Sequence, residues 1–479
     1  MEKFYITTPI YYVNDKPHIG HAYTTVVADV LARFYRSQLG KDNVYFLTGT
    51  DEHGAKVAEA AAKESLDPQT FTDRVAQEFK NAWQNLDIDY DNFIRTTDKQ
   101  HKKIVTDILN TLKGKGVLYE DDYQGLYCVG CEKFITESEL VDGKCVDHNK
   151  EPEQLTEKNW FFKLSEFLPK IKKAIESGEL VIYPETRKNE VLGLINKQDL
   201  PDFSISRSKK SVPWGIDLPW DDDQKTYVWI DALSNYITAL GYPDGKDFKK
   251  FWPADAQFLA LDILKFHALY WPAMLMALDL PLSRLNIHGF FTIDGKKMSK
   301  TLGNVIDPNE LVEKYGSEVT KYLILSQFSF GSESDIKVEH FTEKYNADLV
   351  NGLGNLVNRV TNMIEQYLDG KIDSSKFSEQ TVGNEEIKNL RFREALLTIW
   401  QLIQKGNGLI DEKKPWQLAK DEANKEELTG LLQELASDLH VVALSLKPFM
   451  PNKAEEVIKI LTAKKVVKPE QPLFPRLSK

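Results

Sequence analysis

Pro17-His18-Ile19-Gly20-His21 stands between an apolar run, Phe4-Tyr5-Ile6-Thr7-Thr8-Pro9, and a helical pattern that continues to about Leu39. The order is strand, tight loop, helix start. Pro17 suits a first helical turn, where its missing N–H would be unpaired anyway, and Val26, Val30 and Phe34 recur at helical spacing. Two histidines and a glycine thus sit at the carboxyl end of a strand and the positive end of a helix, where open parallel sheets bind phosphate. The same five residues also fit an ordinary strand-to-helix start with two surface histidines, so the rest of the chain must decide.

The pattern repeats. Val44-Tyr45-Phe46-Leu47-Thr48 runs into Gly49-Thr50-Asp51-Glu52-His53-Gly54, a second strand ending in a Gly- and acid-rich loop. Two such strands predict an α/β fold built on a doubly wound, Rossmann-type parallel sheet. Phe71, Val75, Phe79 and Trp83 mark the core face of a helix. From about Gly114 to residue 212 short segments and turns read as an insertion. Strand signals resume at Thr226-Tyr227-Val228-Trp229-Ile230-Asp231 and Phe258-Leu259-Ala260-Leu261-Asp262. Ile287 to Ile293 reads as one further strand, with a tight turn at Asp294-Gly295. Beyond about residue 340 the chain reads as a helical bundle, with one core stripe of Phe392, Leu396, Ile399, Trp400 and Ile403 and another of Leu428, Leu431, Leu432, Leu435, Leu439 and Val442.

Length, at 479 residues, allows about three domains. No apolar run approaches the ~20 residues of a membrane span and no secretory signal pattern opens the chain, so a cytoplasmic protein without membrane association is expected. The net charge of −11 excludes a uniformly basic surface but leaves room for local basic tracks such as Lys464, Lys465 and Lys468.

All three cysteines fall in one segment. Cys128-x2-Cys131 and Cys145-x2-His148, with thirteen residues between the pairs, have the spacing of two facing metal knuckles. Three thiolates and an imidazole complete a tetrahedral Zn²⁺ and leave no position for water, so one structural ion is expected. The lysine-rich Lys296-Lys297-Met298-Ser299-Lys300-Thr301 follows the turn at Asp294-Gly295. Alone it would read as a solvated loop. Paired with the earlier His-x-Gly-His loop, it has the makings of a mobile cationic arm over a triphosphate.

That pairing, His18-Ile19-Gly20-His21 with Lys297-Met298-Ser299-Lys300-Thr301, resembles the signature pair of class I aminoacyl-tRNA synthetases. Tyr5 to Asn14, the Asp51 loop and the 128–148 knuckle resemble the methionyl-tRNA synthetase family, and the similarity runs from residue 4 to the Leu473-Phe474-Pro475-Arg476-Leu477 end. The resemblance implies activation of methionine with ATP, loss of pyrophosphate, and transfer of the acyl group to the terminal adenosine of tRNA(Met), initiator and elongator. It casts His18, Gly20, His21, Lys297 and Lys300 as catalytic, with Mg²⁺ accompanying ATP. The methionine site maps onto Ile10, Tyr12, Trp229, Ala232, Leu233, Tyr236, Asp262, His267 and Trp271, with Asp51 holding the ammonium group. Aromatic walls suit a polarizable thioether, although without the family most of these aromatics would read as core. Asn355 and Arg359, one helical turn apart, and Trp416 match the positions that read the CAU anticodon.

The expected organisation is therefore a catalytic first half over residues 1–114, an inserted zinc-knuckle domain over 115–212, the second catalytic half over 213–290, a lysine-loop and stem-contact region over 291–345, and an all-α anticodon-binding bundle over 346–479. Ala260-Leu261 departs from the family's usual Gly-Lys, and Thr301 from its usual Ser. No domain follows the bundle, so a monomer is expected. A nucleotidyltransferase, a synthetase for another amino acid and an inactive tRNA-holding paralogue are the competing readings; the intact His18, His21, Lys297 and Lys300 weigh against the last.

Overall fold

The computed structural model describes residues 2–14, 16–129, 133–135, 140–146, 149–197, 200–289, 291–293, 295–297, 304–332 and 334–478, and only the backbone at 123, 124, 133, 134, 155–157, 291, 296, 297 and 334. The chain divides into two compact units, the first comprising Met1–Pro17, Asp42–Asn81 and Tyr90–Ile287, the second His18–Lys41, Ala82–Asp89 and His288–Lys479.

A seven-stranded sheet organises the first unit. Its order is β10 (Ile182–Tyr183), β16 (Leu285–His288), β15 (Ala256–Ala260), β1 (Phe4–Thr7), β3 (Val44–Asp51) and β2 (Tyr11–Tyr12), with β4 (Asn92–Arg95) also on β3. The pairings of β1 with β3 and β15, of β3 with β2 and β4, and of β10 with β16 are all parallel. The chain winds from β1 to β3 on one side and returns to β15 on the other, so the topological switch lies at β1, where such sheets bind ligands at their carboxyl ends. Helices α2 (Ala55–Lys63), α4 (Lys99–Gly114), α5 (Leu168–Ser177), α6 (Glu185–Asn196), α7 (Val228–Thr238), α8 (Lys246–Phe251) and α9 (Trp271–Ala277) complete this unit, and α3 (Pro68–Asn85) contributes to both. Ile104 and Ile108 of α4, Ile230, Leu233 and Ile237 of α7, and Leu47, Leu259 and Leu285 of the sheet share one core.

Within residues 115–212, β5 (Leu118–Cys128), β6 (Lys133–Ile135), β9 (Glu153–Phe162) and β11 (Phe203–Ser204) form an antiparallel sheet, and β7 (Leu140–Val141) with β8 (Lys144–Cys145) a short ribbon. A further sheet comprises β12 (Ser206–Ser208), β13 (Asp217–Leu218) and β14 (Asp221–Thr226). The stretch read as one insertion also supplies β10 to the main sheet, so the chain returns to the core inside it.

Two strand expectations are corrected. Thr226 to Asp231 is not a strand: β14 ends at Thr226 and α7 begins at Val228. The actual strand is the acidic Asp221–Thr226, where only Gln224 and Thr226 are buried, whereas Ile230, Leu233 and Ile237 recur at helical spacing and bury one face of α7. Ile287 to Ile293 is interrupted at Gly289; β16 belongs to the main sheet, while β17 (Phe291–Ile293) pairs with β18 (Lys296–Lys297) and β19 (Ser334–Ile336).

The second unit contains α1 (Ile19–Leu39), α10 (Pro308–Tyr315), α11 (Ser317–Leu325), α12 (Phe341–Lys344), α13 (Asn355–Leu368), α14 (Asn384–Lys388), α15 (Phe392–Lys413), α16 (Pro415–Leu418), α17 (Lys425–Leu446) and α18 (Pro451–Leu461). Both expected core stripes are buried, on α15 and α17. A buried ion pair joins α11 to α1: Lys321 Nζ donates to Asp29 Oδ2 at 3.1 Å, and Arg33 Nε donates to the same oxygen at 2.9 Å. Burial alone would raise the Asp29 pKa, but Lys321 and Arg33 hold it below the usual carboxylate range.

Candidate functional site

Parallel pairing places Tyr12 opposite Asp51, at the carboxyl ends of β2 and β3. The Val13 N–H donates to the Asp51 carbonyl at 3.1 Å, fixing the two strands together where the sheet opens. In the same unit α7 presents Trp229, Ala232, Leu233 and Tyr236 within two turns of helix, not at a strand end and the turn after it. After β15 the chain enters a short 3₁₀ turn carrying the exposed Asp262, then a wide π turn, Phe266–Tyr270, with His267, and then α9 with Trp271. Such π turns re-aim side chains and recur at functional sites.

The aromatic side chains form a contiguous wall. Trp229 stacks on Phe266 with centroids 3.7 Å apart and planes 5° apart, and meets His267 edge-on at 6.3 Å. Tyr236 lies 5.9 Å from Trp271. His267 Nδ1–H donates to the Ile263 carbonyl at 3.0 Å, which leaves Nε2 as an acceptor for the Tyr236 hydroxyl at 2.7 Å. Burial pushes the His267 pKa down to about 4, so the ring is neutral at physiological pH. Trp271 is buried, and its Nε1–H has no hydrogen-bond partner among the described residues. Phe266 escaped the sequence reading because only the π turn brings it against Trp229.

In the second unit His18 is the N-cap of α1, with extended backbone, and the helix starts at Ile19, so Pro17 precedes the cap instead of occupying the first turn. The Gly20 N–H donates to His18 Nδ1 at 3.1 Å and the His18 N–H to His21 Nδ1 at 3.3 Å, a reciprocal capping box in which histidines replace the usual hydroxyl and carboxylate. The rings stack at 3.7 Å. Because both Nδ1 atoms accept, each neutral ring carries its proton on Nε2, at the positive end of a 21-residue helix. Burial first, and then His18, hold the His21 pKa well below the ordinary value.

Ile19 N–H, an unpaired donor of the first turn, reaches the Ile306 carbonyl at 3.0 Å. The chain leaving the lysine motif is thereby tied to the histidine loop. The hairpin before that motif pairs Ile293 with Lys296 and Thr292 with Lys297. Asp335 braces it, accepting from Thr292 Oγ1 at 2.9 Å and Gly295 N at 2.8 Å, and these bonds lower its pKa. Lys300 lies outside the described residues, as do Cys131 and His148.

Cys128 closes β5 and Cys145 lies in β8, both buried in one small cluster with Ile135. The Asn149 N–H donates to the Cys145 carbonyl at 2.8 Å. Among the described residues no group of three or more His, Cys, Asp or Glu is placed to hold a metal ion.

Asn355 opens α13 and its Nδ2 donates to Asn407 Oδ1 at 3.0 Å; one turn on, Arg359 pairs with Asp411. The two rungs join α13 to α15, and sequence spacing gave no sign of Asn407 or Asp411. Trp416, on α16, is 41% exposed, against the buried ring that its type alone would suggest.

The family described as tRNA synthetases class I (M) matches residues 4–147 and 137–361. A methionine–tRNA ligase of Caldanaerobacter subterraneus subsp. tengcongensis is 44% identical over 474 residues, spanning 96% of this chain and 74% of its own length. One from Clostridium acetobutylicum is 45% identical over 472 residues, 95% of this chain and 73% of its own. The structure of Mycobacterium tuberculosis methionyl-tRNA synthetase in complex with methionyl-adenylate superimposes with a TM-score of 0.92 at 34% identity, covering 99% of this chain and 100% of that one. Its apo form gives 0.85 at 31% identity, covering 100% and 99%. With the parallel sheet, the capped histidine loop and the lysine hairpin in one chain, these similarities make it a member of the methionine–tRNA ligase family of class I aminoacyl-tRNA synthetases.

Proposed function

We propose that this chain performs the reaction of its family through the residues described above. It is a methionine–tRNA ligase: the methionine carboxylate attacks the α-phosphorus of ATP, the bond to the departing pyrophosphate breaks, and the methionyl group then passes to the 3′-terminal adenosine of tRNA(Met) with release of AMP. The observation that carries the reading is the stacked pair of His18 and His21, each Nδ1 accepting from a backbone N–H, at a helix start tied to the exit of the lysine motif.

Charge on the reacting phosphate oxygens is what must be stabilised, and no side-chain nucleophile is needed. His18 and His21 donate to those oxygens as neutral rings. Gly20 presents no side chain to the nucleotide, and Lys297 and Lys300 supply positive charge. ATP enters with Mg²⁺ on its phosphates.

For methionine, Asp51 holds the ammonium group. Ile10, Tyr12, Trp229, Ala232, Leu233, Tyr236, His267 and Trp271 enclose the thioether, with Asp262 at the margin. The neutral His267 keeps charge away from the sulfur and fixes the Tyr236 hydroxyl. Asn355 and Arg359 read base edges of the CAU anticodon, and exposed Trp416 offers a plane for an unstacked base.

Cys128, Cys131, Cys145 and His148 would hold one structural Zn²⁺. The buried thiols of Cys128 and Cys145 in one cluster fit that donor set, and the ion would supply folding energy to the insertion. The five-part organisation over 1–114, 115–212, 213–290, 291–345 and 346–479 is retained as a functional division. We assign a monomer in the cytoplasm, binding initiator and elongator tRNA. Among the described residues no helix is long and apolar enough to cross a membrane.

Charging of tRNA(Met) transcripts with labelled methionine tests the reading. Charging is expected with the CAU anticodon and lost on its replacement; charging that ignores the anticodon would refute the assignment of Asn355, Arg359 and Trp416.

A further inference from the structure

Helix α7 and the Asp51–Gly54 loop are joined in the first unit by a buried group that the proposed chemistry does not use. Asp231, 1% exposed, lies between two buried histidines: its Oδ2 is 2.6 Å from His53 Nδ1 and its Oδ1 is 2.6 Å from His101 Nε2. The carboxylate can only accept, so both rings donate to it. Burial alone would raise the Asp231 pKa, but His53 and His101 hold it at about 2, so it stays ionised. One turn pair further along α7, Thr238 Oγ1 meets His101 Nδ1 at 2.7 Å, so α4 is pinned to α7 at two points.

The loop itself is clamped on its other side. Trp214 Nε1 donates to the Glu52 carbonyl at 2.6 Å, the Gly54 N–H donates to the Trp214 carbonyl at 3.0 Å, and the Glu52 carboxylate accepts from Arg95 Nε at 2.7 Å. His53 is therefore not a passive loop residue. It is the one side chain of the loop bonded to α7 among the described contacts.

We infer that His53, Asp231 and His101 are positioning residues that set the spacing between Asp51, two residues before His53, and the α7 wall of Trp229, Ala232, Leu233 and Tyr236. This rests on the assignment of those residues to methionine. Apolar packing would hold the same elements together without direction, and a buried carboxylate is costly to retain. Short charge-assisted bonds from His53 of the loop and His101 of α4 to one carboxylate instead fix the loop, α4 and α7 in a single register, which a site that must engage both an ammonium group and a side chain requires. The cluster thus determines methionine affinity without touching methionine or ATP.

The test is steady-state pyrophosphate exchange with methionine and ATP varied separately. An asparagine amide can replace the Nδ1–H donor of histidine and a glutamine amide the Nε2–H donor. His53→Asn and His101→Gln are therefore expected to keep the methionine KM within about twofold, whereas His53→Leu, His101→Leu and Asp231→Leu raise it about tenfold, with the ATP KM little changed. A methionine KM unchanged in His53→Leu, or equal losses for His53→Asn and His53→Leu, or an ATP KM that rises in parallel, would overturn the inference. Trp229→Ala separates the two levels: if it leaves the methionine KM unchanged, the pocket assignment itself is wrong; if it raises that KM while His53→Leu does not, only the positioning role fails.

Discussion

Trp229 lies flat on Phe266, ring centroids 3.7 Å apart and planes within 5°, so the exposed face of the Trp229 ring is held rigidly by a residue 37 positions away. A preorganised aromatic wall loses little entropy when a flexible side chain settles on it. Trp229→Ala should raise the methionine KM about tenfold, the loss of roughly 1.4 kcal/mol of apolar contact, with the ATP KM unchanged. Phe266→Leu, which leaves Trp229 in place but unsupported, should give a smaller change in the same direction. Pyrophosphate exchange at varied methionine measures both.

Acid should destabilise the fold in two separate steps. Burial holds His267 and His288 at about 4, against an ordinary 6.5. Unfolded, each takes up a proton near pH 6.5; folded, each stays neutral until about pH 4. Their contribution is complete above that window and lost as pH falls through it, on the order of 3 kcal/mol for each ring. Asp231, held at about 2, loses its contribution only below its ordinary 3.8. Melting temperature should therefore be level between pH 8 and 7 and fall between 6.5 and 4, less steeply in His288→Gln. A fall confined to pH below 4 would contradict the buried neutral histidines.

Trp416→Ala should lower the rate of tRNA(Met) charging by about tenfold or more while leaving pyrophosphate exchange within twofold, since the role proposed for this exposed ring on α16 is toward the tRNA alone. The two assays on one preparation decide it, and equal losses would move Trp416 out of the anticodon site.

Cys145→Ser should abolish binding of the proposed zinc and lower the melting temperature of the chain by several degrees, because Cys145 is buried with Cys128 and the proposed set has no spare ligand. Metal analysis by mass spectrometry against protein concentration gives the occupancy. One zinc per chain retained in Cys145→Ser would refute the ligand set.

Much of the architecture is legible locally. The 3.6-residue period of α1, α15 and α17 and the start of the first two strands are contained in short windows, as is the spacing of the lysine hairpin, whereas the second strand runs on through Gly49-Thr50-Asp51, which read as loop. What resisted reading depends on distance or on context. Val228-Trp229-Ile230 has strand-forming residues but becomes helix because its neighbours bury one face at helical spacing, while the acidic Asp221–Thr226 is drawn into a strand by pairing with Ser206–Ser208. The two-residue β10 has no pattern to detect. His53 was visible in its loop, but Asp231 and His101, 178 and 130 positions from their partners in that cluster, were not. Asp335 braces a hairpin 40 residues earlier in the chain. The histidine loop was the reverse case: its residues were plain in sequence, and the structure added which ring nitrogens carry the protons.

Methionine-dependent exchange of labelled pyrophosphate into ATP, run in parallel with each of the other standard amino acids and with His18→Ala and His21→Ala variants, tests the central claim most directly. The account predicts exchange with methionine alone in the parent chain and a loss of at least about a hundredfold in kcat for each histidine variant. Exchange driven by a different amino acid, or full activity without His18 and His21, would contradict it.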